Sequence, residues 1–119
     1  GGFFIEPTIF EGVRNDMKIA QEEIFGPVLS AITVKGFDEA MEVANDTIYG
    51  LAGAVWTGSM KNAHRAAKAL RAGVVWVNCF DKGSMAVPFG GFKQSGFGRD
   101  KSLHAMDKYT DLKAVWFQH

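Results

Sequence analysis

The 119-residue chain is 47% hydrophobic, enough for one domain, or part of one, with a real apolar core. Its 13 basic and 13 acidic residues cancel, so charge gives no case for nucleic acid or an anionic membrane as partner. The apolar runs are short and interrupted, which predicts no transmembrane helix or signal peptide. A single cysteine excludes an internal disulfide and fits a reducing, cytoplasmic setting.

The chain opens Gly1-Gly2-Phe3-Phe4 without an initiator methionine, as a fragment of a longer polypeptide would. Residues 3–10 mix aromatics and isoleucine around Pro7 and read as a short strand or strand edge. Residues 11–21 are polar and read as irregular. Val28 to Val34 is apolar and β-branched, the pattern of a strand buried on at least one face. From Phe37 the apolar positions are Phe37, Ala40, Met41 and Ala44, one face of a helix. Gly36 is an acceptable N-cap for it, and Asp38 and Glu39 complement its dipole.

Leu51 to Trp56 is the next predicted strand, thinned by Gly53. Ser59 can cap a helix whose apolar face is Met60, Ala63, Ala66, Ala67 and Leu70, with Gly73 as its stop. Val74 to Asn78 is another strand. Residues 81–100 form a glycine-rich loop, long for the interior of a domain and therefore a functional candidate. A short helix around Leu103, Ala105, Met106 and Tyr109 precedes a terminal strand from Leu112 to Gln118. Alternating strands and helices predict an α/β fold with a largely parallel open sheet. The terminal strand lies outside that alternation, with a free edge that invites a partner.

Two stretches carry the chemistry. In Gln21-Glu22-Glu23-Ile24-Phe25-Gly26-Pro27-Val28, the Gly-Pro pair forces an extended or turning segment. Alternation then puts Glu23 and Phe25 on one side and Glu22 and Ile24 on the other. A carboxylate beside a ring can hold a sugar diol and cover a flat heterocycle; the alternative is a solvated carboxylate pair before a strand. The second stretch is Pro88-Phe89-Gly90-Gly91-Phe92-Lys93-Gln94-Ser95-Gly96-Phe97-Gly98-Arg99. It is not a phosphate loop, because Phe97 occupies the required lysine position. Nor is it a dinucleotide fingerprint, because Lys101 stands where the third glycine belongs.

With Pro7-Thr8-Ile9-Phe10, Tyr49-Gly50-Leu51-Ala52, Gly73-Val74-Val75-Trp76-Val77-Asn78 and Tyr109-Thr110-Asp111-Leu112-Lys113, these stretches resemble the C-terminal portion of the NAD(P)-dependent aldehyde dehydrogenases. The resemblance implies oxidation of an aldehyde to a carboxylic acid through a thiohemiacetal and a thioester, with NAD or NADP as cofactor. It implies that residues 1–110 belong to the catalytic domain and 111–119 to an oligomerisation strand. The implied partners are the remainder of the same polypeptide and further copies of it, in a dimer or tetramer. Glu23 matches the glutamate that grips the nicotinamide ribose, Phe25 the ring packed near the nicotinamide, and Phe89 a residue lining the aldehyde pocket.

Asp81 sits where relatives vary their substrate; it can face an amine-bearing aldehyde or pair with Lys82 at the surface. The tail Gly98-Arg99-Asp100-Lys101-Ser102-Leu103-His104-Ala105 is most similar to relatives that oxidise aminoaldehydes, among them γ-glutamyl-γ-aminobutyraldehyde and betaine aldehyde dehydrogenases. No catalytic residue is expected within this chain. Cys79 ends a strand among Val77 and Phe80, an apolar setting, and reads as structural; the resemblance implies that the nucleophile, general base and oxyanion asparagine come from other segments of such enzymes. His64, His104 and His119 share no ligand spacing, so no metal is expected. The competing class is a non-enzymatic α/β binding or assembly module.

Overall fold

The computed structural model describes residues 2–119 and divides the chain into two units, Gly1–Ile48 and Tyr49–His119. In the first, β1 (Thr8–Phe10) pairs in parallel with β2 (Val28–Ser30), Thr8 opposite Val28. The ladder is extended by Thr8 N–H donating to the Pro27 carbonyl (2.9 Å) and Ala31 N–H to the Phe10 carbonyl (2.8 Å). Between them lies α1 (Lys18–Gln21), a single turn in the segment predicted to be irregular. Its local sequence carries no capping signal; long-range bonds hold it instead. The Gln21 amide donates to the carbonyls of Asn15 (2.7 Å) and Asp46 (3.0 Å), and the Ser30 hydroxyl donates to that of Ile19 (3.2 Å). Val13 is the buried apolar residue of this unit.

After β2 comes α2 (Phe37–Asn45), as its apolar spacing predicts, with Gly36 as N-cap and Asp38 and Glu39 in the first turn. Phe37, Ala40 and Met41 are half-buried, whereas Ala44 is exposed.

The second unit repeats the strand–helix–strand pattern. Here β3 (Ala52–Val55) pairs in parallel with β4 (Val74–Val77), Ala52 opposite Val74, joined through α3 (Met60–Ala69). The Ser59 hydroxyl accepts from Asn62 N–H (3.3 Å), the cap its residue type predicts. Ala63 and Ala66 are buried, while Met60 and Ala67 of the predicted face are exposed. Small residues on this face let the helix lie close to the sheet.

The parallel α/β pattern therefore holds, but as two separate two-stranded sheets rather than one open sheet. The strands are three or four residues long, shorter than their apolar runs, because a strand extends only as far as a neighbour pairs with it. The predicted helix near the C-terminus is a 3-10 helix, Leu103–Lys108. Leu112–Gln118 pairs with nothing among the described residues and is no strand within this chain, with Leu112 fully exposed and Trp116 93% exposed. Among the described residues no helix is long and apolar enough to cross a membrane.

The glycine-rich loop folds back onto the second sheet through Gly50. The Gly50 carbonyl accepts from both Gly73 N–H (3.0 Å) and Phe92 N–H (2.8 Å), and its N–H donates to the Ser95 hydroxyl (3.0 Å). Gly73 is required at this junction: a Cβ there would lie 1.7 Å from the Gly90 carbonyl oxygen. Further along, Phe89 and Asp100 exchange backbone bonds of 2.8 and 2.6 Å in an antiparallel bridge. The Arg99 guanidinium lies 5.1 Å from the Phe92 ring centroid and donates to the Gly91 carbonyl (3.0 Å). These bonds give the loop a defined path despite its lack of regular structure.

Candidate functional site

Two groups of predicted residues lie in different units. In the first unit, the segment from Glu22 to Pro27 leaves α1 and enters β2 fully on the surface. Glu22, the C-cap of α1, has an extended backbone and ion-pairs with Lys18 one turn earlier, Nζ to Oε2 3.5 Å. Glu23 is exposed, and its carboxylate has no hydrogen bond or ion pair among the described residues. Phe25 is 92% exposed and has φ of 56°, left-handed backbone that a non-glycine residue rarely adopts. That corrects the predicted strict alternation: the segment turns at Phe25 instead of running extended through it. The following Gly26-Pro27 pair continues the turn, with Val28 N–H donating to the Gly26 carbonyl (2.8 Å).

The second group lines a cavity of about 320 Å³ in the second unit. Asp81 and Phe89, eight residues apart in sequence, both line it, together with Val74 and Trp76 of β4 and Lys101. Phe89 is half-buried, held from behind by its bridge to Asp100. The Lys101 ammonium lies 5.3 Å from the Phe89 ring centroid, within cation–π range. Asp81 is exposed and forms no ion pair with Lys82 among the described residues.

Two contributors escaped the sequence reading. Trp76 was visible as a tryptophan inside a strand, whose indole N–H needs a partner when covered. Lys101 carried no signal, because it reaches the cavity through consecutive left-handed residues, Lys101 (φ 59°) and Ser102 (φ 52°). Cys79 is half-buried between the exposed Asn78 and Phe80. No cluster of histidine, cysteine, aspartate and glutamate suited to a metal occurs among the described residues.

A parallel strand–helix–strand chain with a loop-walled cavity against Val74 and Trp76 of β4 belongs to the α/β class. Residues 1–115 match the family described as "Aldehyde dehydrogenase family", and the chain belongs to that family. It is 52% identical over 116 residues to the aminoacetaldehyde dehydrogenase of Pseudomonas aeruginosa, covering 97% of this chain and 23% of that protein. Among solved structures, it matches a mutant of the P. syringae indole-3-acetaldehyde dehydrogenase in complex with NAD+ and IAA. That match has 65% identity and a TM-score of 0.90, covering 98% of this chain and 23% of that one. The γ-glutamyl-γ-aminobutyraldehyde dehydrogenase of Burkholderia cenocepacia matches with 64% identity and a TM-score of 0.89, covering 95% and 23%. The chain thus spans less than a quarter of the length of each of these relatives. None of the three favours a non-enzymatic assembly module.

Proposed function

We propose that the protein containing this chain oxidises an aldehyde, one carrying an amine, to a carboxylic acid with NAD(P)+. Glu23 and Phe25 contact the nicotinamide end of the cofactor, while Asp81 and Phe89 form a wall of the substrate tunnel. The nucleophile and general base come from the remainder of the polypeptide. Residues 1–110 are part of the catalytic domain, and 111–119 pair with another copy in a dimer or tetramer.

The observation that supports this reading is the Glu23 carboxylate, without a hydrogen bond or ion pair among the described residues, two residues from the exposed ring of Phe25 and next to a Glu22 already tied to Lys18. Two free acceptor oxygens suit two neighbouring ribose hydroxyls, and such charge-assisted bonds are the strong ones. The Phe25 ring offers a flat apolar face. When bound, the cofactor accepts hydride from the aldehyde carbon. The residues of this chain orient it and line the path of the aldehyde. An amine on the substrate finds its counter-charge in Asp81, a pairing that requires the side of the cavity away from the like charges of Lys82 and Lys101, and the Phe89 and Trp76 rings supply apolar walls.

The test is NAD(P)+ titration of the full-length enzyme with Glu23→Gln and, separately, Glu22→Gln. The reading requires weaker cofactor binding or slower hydride transfer in the first and little change in the second. Equal effects would make the segment a solvated carboxylate pair.

A further inference from the structure

We infer that Trp76 is a positioning residue for substrate selection: its indole N–H holds the Lys82 carbonyl and fixes the turn that presents Asp81 to the cavity. This rests on the proposed role of Asp81 toward an amine-bearing aldehyde. The strand β4 ends at Val77, and the chain then turns through Asn78 and Asp81, both with φ of 53°. Two non-glycine residues in left-handed backbone within four positions persist only where the surroundings over-determine them.

Two braces do so. The Asn78 side-chain amide clamps the backbone of Thr57, accepting from its N–H (2.8 Å) and donating to its carbonyl (3.0 Å). That secures the start of the turn. Its far end is secured by Trp76, whose Nε1–H donates to the Lys82 carbonyl at 2.6 Å. The Trp76 and Phe80 rings contact each other, with centroids 5.1 Å apart and planes at 53°, although Phe80 remains largely exposed. Trp76 is seated in β4 opposite Ala54 of β3, so the brace is mounted on the sheet. Asp81 immediately precedes the residue whose carbonyl is held and has no ion-pair partner among the described residues to locate it. Its place at the cavity wall is therefore set by the backbone on either side. Loss of the indole bond frees Asp81 to sample other positions, and a charge that wanders binds its counter-charge less well.

The experiment compares aldehydes of equal length, one ending in an ammonium and one in a methyl group, on the full-length enzyme. Trp76→Phe keeps an aromatic ring and removes the donor. A net hydrogen bond of ordinary strength predicts that the kcat/KM preference for the ammonium aldehyde falls about three- to tenfold, mainly through KM. Asp81→Asn lowers the same preference, and adding Trp76→Phe to it lowers it no further. Deuterium exchange across residues 78–84 rises in Trp76→Phe. Site-specific benzothienylalanine at position 76, which has the shape of tryptophan without its N–H, reproduces the loss if phenylalanine impairs folding. An unchanged preference in Trp76→Phe, with Asp81→Asn still effective, overturns this inference alone. Additive losses in the double variant overturn it as well. An ineffective Asp81→Asn overturns both this inference and the role of Asp81 beneath it.

Discussion

Lys18 and Glu22 form an ion pair one helical turn apart, Nζ to Oε2 3.5 Å, and so divide two adjacent carboxylates into one that is engaged and one that is not. The pair is exposed, and such pairs contribute little to stability. Under the proposed cofactor contact, the two carboxylates are expected to differ in function. Glu23→Gln in the full-length enzyme is expected to cost about ten- to a hundredfold in NAD affinity or in the hydride-transfer burst, since bonds to charged groups contribute roughly 1.5–3 kcal/mol. Glu22→Gln, which removes only a surface ion pair, changes either by less than about twofold. Cofactor titrations and pre-steady-state NADH bursts on both variants measure the difference.

The isolated 119 residues are expected to produce no NADH from NAD+ and a panel of short and amino-substituted aldehydes. Cys79, the single cysteine, is half-buried, and among the described residues no hydrogen bond joins it to any of the three histidines. In the full-length enzyme Cys79→Ala retains near-normal turnover, with a modest stability loss from the small cavity it leaves. Turnover by the isolated chain that disappears with Cys79→Ala would refute the structural role.

Residues 112–119 present Leu112, Val115, Trp116 and Phe117 to solvent, and none of these backbone groups has a strand partner among the described residues. An exposed apolar terminus of this kind invites a pairing partner, as the proposed assembly requires. Deleting 112–119 from the full-length enzyme is expected to shift it to smaller species in sedimentation velocity. An unchanged sedimentation coefficient would mean that the segment packs within its own polypeptide.

Gly73 and Gly58 make a stability contrast inside the second unit. A methyl group at Gly73 runs into the Gly90 carbonyl, whereas one at Gly58 meets nothing within 4 Å. Gly73→Ala must push the glycine-rich loop off the sheet, and overpacking of this sort costs about 1–3 kcal/mol. Gly58→Ala is expected to be neutral within about 0.5 kcal/mol. Urea unfolding of both variants of the full-length enzyme, followed by fluorescence, checks the difference.

The elements that declared themselves in advance are those specified by local chemistry. The 3.6-residue spacing of Phe37, Ala40 and Met41 marked α2, the Ser59 hydroxyl marked the start of α3, and β-branched runs marked β2 and β4. Family membership was legible for a related reason. Glycines, prolines and aromatics at set spacings are demanded by turns and close contacts, and those demands leave a linear trace.

What local sequence could not supply was set by groups far apart in the chain. The turn α1 exists because Gln21 and Ser30 reach distant carbonyls, and its segment read as irregular. Left-handed backbone at Asn78 and Asp81 falls on residue types that tolerate it, whereas at Phe25 and Lys101 it falls on residue types that rarely adopt it, so local propensity does not announce it there. Asp81 and Phe89 were separate candidates until the loop folded back through Gly50 and Asp100 and set them around one cavity with Trp76 and Lys101. Residue type and spacing therefore settled the family and the α/β alternation, because propensity, capping and turn chemistry act over a few residues. The tertiary structure decided which side chains share a cavity and which carboxylate is left free, because those outcomes depend on hydrogen bonds and ion pairs that form only once the chain has folded.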